Sequence, residues 1–161
     1  MPHPAHVLRT GFRLHTRLFL NSLEEMDDDA ARTRPGERTN SIAFIALHLV
    51  DVRHFTLEYA GGAMANPFTE LLAGISAIDD LPMYPPLDEI RGAWSSVSAS
   101  LDARLGELDG DALAATSPQR YPVDDPTVAG GLTFLLSHEA YHIGQMALLR
   151  KHLGFPAMTY R

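Results

Sequence analysis

An all-α four-helix bundle is the fold this sequence predicts, and three observations predict it. Apolar residues recur at steps of three and four through four long stretches. Breakers separate those stretches: Arg34-Pro35-Gly36, Gly61-Gly62, Pro85-Pro86 and Asp125-Pro126. No segment of useful length alternates apolar with polar residues as a half-buried strand does.

The first helix is expected from about Pro4 to Ala31, with Pro4 suiting a helix start. Val7, Leu8, Phe12, Leu14, Leu18 and Phe19 form its apolar face. The second is expected from Asn40 or Ser41, either of which can cap, to Gly61-Gly62. Phe44, Ile45, His48, Val52, Phe55 and Tyr59 share one stripe of it. Only about eight residues join these two helices, so they are expected to be antiparallel neighbours.

Residues 61 to 86 form a long link with a short helix expected around Phe68 to Ala73. A link of that length can run back along a bundle, so the third helix is expected parallel to the second, in an up-down-down-up order. That third helix follows Pro85-Pro86 and carries Leu87, Ile90, Trp94, Val97, Leu101, Leu105 and Leu108, with Gly110 closing it. The fourth starts at Asp125-Pro126, read as a cap followed by a first-turn proline, and runs to about Leu153 before Gly154 and Pro156. One domain over residues 1–161 accommodates all four.

Composition narrows the function. Thirteen Lys+Arg against twenty Asp+Glu leave a formal charge of -7, and no basic run exists to grip phosphates, so nucleic acid is not an expected partner. There is no cysteine, which removes disulfides, thiolate metal sites and cysteine nucleophiles. The amino terminus lacks the pattern of a signal peptide, and the longest apolar run, Ile42 to Val50, is too short to span a bilayer. A cytoplasmic protein without membrane partners is the expectation.

The chemistry concentrates in Ser137-His138-Glu139-Ala140-Tyr141-His142-Ile143-Gly144-Gln145. At about 100° per residue, His138 and His142 stand one turn apart on one face. Gly131, Phe134, Leu135, Gln145 and Leu149 share that face, which places the pair in the expected core stripe. His48 occupies the corresponding stripe of the second helix. Three neutral imidazoles with an open fourth position make a catalytic-type site for one divalent ion, zinc or nickel foremost and iron as a further choice. Eight histidines in the chain make one such spacing unremarkable by chance, so the weight falls on convergence of the pair with His48.

His138-Glu139-Ala140-Tyr141-His142 formally matches the H-E-x-x-H motif of metalloproteases. That reading fails downstream: no Asp or Glu follows His142, and Gln145 and Leu148 stand where the extended motif needs glycine and histidine. Glu139 is read as a solvated helix residue in preference to one that orients a ligand or acts on bound water. Gln145 is the better candidate to hold a ligand in place or meet substrate, and Asp51 a weaker one. His15 is expected at a boundary, His54 away from His48, and His152 at a helix end that suits a cation.

The segments Ile45-Ala46-Leu47-His48-Leu49-Val50-Asp51 and Leu136-Ser137-His138-Glu139-Ala140-Tyr141-His142-Ile143-Gly144-Gln145-Met146-Ala147-Leu148-Leu149-Arg150, with the closing Leu153-Gly154-Phe155-Pro156, resemble the DinB-like superfamily. The resemblance covers the chain in length and helix order, while its specific part is confined to the histidine segments. It implies an up-down-down-up four-helix bundle, a divalent metal on His48, His138 and His142, and frequent homodimers. Some members of that superfamily are S-transferases or an isomerase using bacillithiol or mycothiol, which implies a low-molecular-weight thiol as a candidate partner here.

The expected function is therefore a metalloenzyme activating a thiol or water on a small-molecule substrate, of thiol S-transferase or hydrolase type. The alternative is a non-catalytic stress-response bundle binding a small molecule or a partner. A third arrangement, a structural metal, requires a fourth ligand such as Glu139 or His15.

Overall fold

The computed structural model describes residues 3–160. Among them are seven α-helices and one 3-10 turn, with no strand beyond an isolated bridge between Thr116 and Thr127. The four long helices are α1 (His6–Ser22), α3 (Ile42–Tyr59), α5 (Leu87–Glu107) and α7 (Val128–His152). Three short ones are α2 (Asp28–Arg32), α4 (Thr69–Leu72) and α6 (Gly110–Ala114), and the 3-10 turn spans Ile78–Asp80.

The expected first helix is divided. Glu25 takes a left-handed backbone (φ 62), which an L-residue does not adopt inside a helix. Two arginines receive the carbonyls freed at the end of α1: Arg91 Nη2 donates to Leu23 O at 2.6 Å, and Arg150 Nη1 donates to Ser22 O at 3.4 Å and to Glu24 O. Asp27 then caps α2, accepting from the Ala30 N–H at 2.8 Å. Val7 (78% exposed) and Leu14 (36%) lie outside the core, contrary to the expected face of this helix.

Ser41 is the cap of α3, accepting from the Phe44 N–H at 3.1 Å. α5 buries every residue of its expected stripe, from Leu87 to Leu108. Gly110 does not close that helix; it opens α6, which Asp109 caps through the Ala112 N–H at 2.8 Å. The expected Asp125 cap is displaced by two residues. Thr127 caps α7 at the Gly130 N–H, 3.3 Å away, while Asp125 holds Thr127 through its N–H and hydroxyl at 2.9 and 2.7 Å.

Each long helix packs against two others: α1 on α5 and α7, and α3 on the same pair. α1 and α3 therefore face each other across a diagonal and are not the neighbours their short connection suggested, because α2 and its flanking turns carry the chain over the end of the bundle. Contact registers fix the relative sense. From α1 to α7, Gly11 meets Leu136, His15 meets Glu139 and Ser22 meets Met146. From α3 to α5, Arg53 meets Ser98 and the Ala60 carbonyl meets Arg104. Between α3 and α7 the numbers run oppositely, His48 beside His142 and Arg53 beside Glu139.

The apolar core is two clusters. One holds Phe19, Leu23, Leu47, Val50, Ile90, Trp94, Ile143 and Met146; the other holds Phe12, Leu57, Val97, Leu101, Leu105 and Leu132. A polar layer crosses the bundle between them. Arg53, fully buried, donates through Nε and Nη2 to the two oxygens of Glu139 at 2.6 and 2.7 Å, and through Nη1 to Thr16 Oγ1 and Ser98 Oγ, both at 3.2 Å. His15 Nδ1 lies 3.2 Å from Glu139 Oε2, and the guanidinium stacks 4.0 Å above the Trp94 ring. Every long helix contributes to this layer, and its charges are buried together with their hydrogen-bond partners.

Candidate metal centre

Beside the polar layer, α3 and α7 bring three imidazoles together. One nitrogen from each of His48, His138 and His142 lies within 4.8 Å of the others. Ring centroids are separated by 5.4 Å (His48–His138), 4.8 Å (His48–His142) and 4.5 Å (His138–His142). Each pair is inclined by 71 to 73°, so the rings meet edge to face around a common point. All three are half-buried.

The geometry fits an ion. Nε2 of His138 and Nε2 of His142 are 3.1 Å apart. Two imidazole nitrogens each about 2.0–2.1 Å from one ion stand at about that separation. His142 Nδ1 is 2.8 Å from Gln145 Oε1, an acceptor that favours the ring proton on Nδ1 and leaves Nε2, which faces His138, as the atom to bind an ion. Gln145 thereby fixes the tautomer and orientation of one ring, as expected for a residue behind a ligand. His138 Nδ1 is buried without a partner, and Phe134 stacks on its ring at 6.3 Å.

Electrostatics keep the trio neutral, which is the metal-binding form. Burial pushes His48 down to about 4, with His142 and then His138 acting in the same direction. Burial and then His142 lower His138, against an upward pull from Glu139. Burial lowers His142, against the hydrogen bond with Gln145.

Two of the three, His48 and His142, open onto a cleft of about 240 Å³ lined also by Phe44, Asp51, Leu72 and Ile75, among others. Leu72 and Ile75 come from the long link between α3 and α5, which supplies part of the cleft's wall. Asp51 is exposed in this cleft and accepts from Asn66 Nδ2 at 2.8 Å.

Two sequence expectations are corrected here. Glu139 is not solvated: it is fully buried, and its oxygens are taken by Arg53 and His15. His15 is buried with it, 8% exposed, so neither residue is available as a fourth ligand, and no fourth donor joins the group among the described residues. The buried stripe of α7 runs through Leu132, Leu135, Glu139, Ile143, Met146 and Arg150. His138 and His142 flank that stripe, and His142 lines the cleft, where the expectation had put both within the core stripe. Sequence reading missed Arg53, Thr16 and Ser98. A visible signal existed: Arg53 is the one Lys or Arg of the second helical run, and Glu139 the one acid of the fourth.

No curated protein matches the chain. Among solved structures, the chain is similar to one described as the crystal structure of the conserved protein of locus from Enterococcus faecalis. The two are 13% identical and align over 95% of this chain and 98% of that one, with a TM-score of 0.75, a likeness of fold. A sequence profile of the DinB superfamily matches residues 12–146. With the match spanning most of its length, this chain belongs to the DinB superfamily.

Proposed function

We propose that the protein is a metal-dependent enzyme in which His48, His138 and His142 hold one divalent ion, zinc or nickel foremost and iron as a further choice. The convergence of three neutral imidazoles from two antiparallel helices carries this reading. A bound divalent ion supplies a Lewis acid that lowers the pKa of a thiol or water at its open position. The chain's own residues do the rest. Gln145 orients His142, Phe134 backs His138, and the Arg53–Glu139 pair anchors the helix turn from which His138 projects.

Phe44, Leu72 and Ile75 give the cleft an apolar wall suited to a small organic substrate rather than a polymer. Thiol S-transfer or hydrolysis is the reaction type in this reading, with a low-molecular-weight thiol as the candidate second substrate. The contact registers of the long helices support an up-down-down-up order. Exposed Tyr141 and Leu148 (63% and 69%) on α7 support a homodimer through that helix.

The test is stoichiometric. Protein freed of metal, reloaded and desalted is expected to retain one divalent ion per chain by elemental analysis. Replacing the three histidines together by Leu or Phe is expected to abolish retention. A triple variant that is more stable, with no metal or activity lost, would establish a non-catalytic bundle instead.

A further inference from the structure

The cleft beside the histidines is lined by one carboxylate, Asp51, and by no Lys or Arg, which bears on the substrates the site takes. Asp51 lies one turn beyond His48 on α3, so both line the same cavity. Its Oδ1 is held by Asn66, and Oδ2 accepts no hydrogen bond among the described residues. Asp51 also lines a second, open groove of about 740 Å³ with His54, Glu58, Met64 and Asn66. The cleft and the groove thus meet at Asp51. Asp51 is the one carboxylate of the cleft, and Glu58, about 10 Å farther along α3 by helical rise, stands beside it in the groove. No Lys or Arg lines either space. Arg38 lines another groove, with Gln145 and Leu148, which meets the cleft at Asn40 and Ile45 on the side away from Asp51 in the lining.

Charge of one sign along a concave wall concentrates the opposite sign there and repels its own. From this we infer that Asp51 is a specificity-determining residue that selects small molecules bearing an ammonium group on the α3 side of the metal, and that anionic substrates are disfavoured. This inference rests on the metal-site reading. In it, the ligand's head group meets the trio while its amine pairs with Asp51 Oδ2, and a longer ligand runs on toward Glu58.

Binding to the cobalt-loaded protein tests this without any turnover. The cobalt absorption bands are titrated at low ionic strength with cysteamine, a cationic thiol, and with 2-mercaptoethanol, a neutral one of similar size. The two thiols differ intrinsically in acidity, so the quantity read is the ratio of their dissociation constants in each variant, which cancels that difference. In Asp51→Asn the preference for cysteamine is expected to fall about threefold to fivefold, as for removal of one partly exposed ion pair. Arg38→Gln is expected to leave the ratio unchanged. A ratio unaltered in Asp51→Asn, or altered equally in Arg38→Gln, overturns the role of Asp51 while the cobalt bands still uphold the metal site. Absence of cobalt bands in the unaltered protein removes both.

Discussion

Arg53 and Glu139 are joined by two parallel hydrogen bonds, 2.6 and 2.7 Å, with both side chains sealed from solvent. The pair spans α3 and α7 at the level where the two apolar clusters separate. Removing one partner leaves a buried charge without its counterion. Glu139→Ala is therefore expected to lower unfolding free energy by about 3–5 kcal/mol, measured by urea denaturation. The double replacement Arg53→Met, Glu139→Leu is expected to be less harmful than either single change, because it removes both charges at once.

Acid sensitivity of the metal-free protein follows from His48. Its folded pKa of about 4 lies below the ordinary imidazole value, so the unfolded chain binds a proton that the folded chain refuses. Stability is then fully retained above the unfolded pKa and declines as pH falls from about 6.5 toward the folded value. Partial exposure of the ring reduces the full linkage energy to about 2 kcal/mol. Urea midpoints of chelator-treated protein between pH 7 and pH 4.5 are expected to show this slope. His48→Leu is expected to reduce it, leaving the share that His138 and His142 contribute.

Gln145 has a different signature. Gln145→Leu leaves the histidine trio intact but frees His142 to rotate and change tautomer. Metal affinity is expected to fall about 10- to 100-fold, measured by competition with a chromophoric chelator. Thermal stability of the metal-free protein is expected to change little by comparison.

Two glycines of α7 separate helix propensity from packing. A methyl group on Gly130 would lie 2.2 Å from the Asp125 backbone oxygen, whereas one on Gly144 would meet nothing within 4 Å. Alanine is favoured over glycine by about 1 kcal/mol in a helix, so Gly144→Ala is expected to raise the melting temperature. For Gly130→Ala the clash with fixed backbone outweighs that gain, and a net loss of about 1–3 kcal/mol is expected by calorimetry.

What the sequence made legible follows the length scale of the interactions. The buried stripe of α5 was readable residue by residue because every member from Leu87 to Leu108 is apolar and periodic. The meeting of His48 with His138 and His142 was readable because each lies on a face its neighbours define. The division of the first helix was not, since its cause lies in Arg91 and Arg150, far along the chain, which take carbonyls at the end of α1. Glu139 was misjudged for a related reason. A glutamate in an apolar helix reads as exposed unless the counterion is known, and Arg53 is 86 residues away. Once that pairing is known, the buried stripe of α7 shifts by one residue and both histidines move to its flank.

Only α3 and α7 contribute rings to the trio, while α1 and α5 stand on the far side of the bundle. An ion captured there acts as a rivet through a single seam. Metal loading would brace that seam alone and leave the α1–α5 joint to its own ties, among them Arg9 and Arg13 on Asp102.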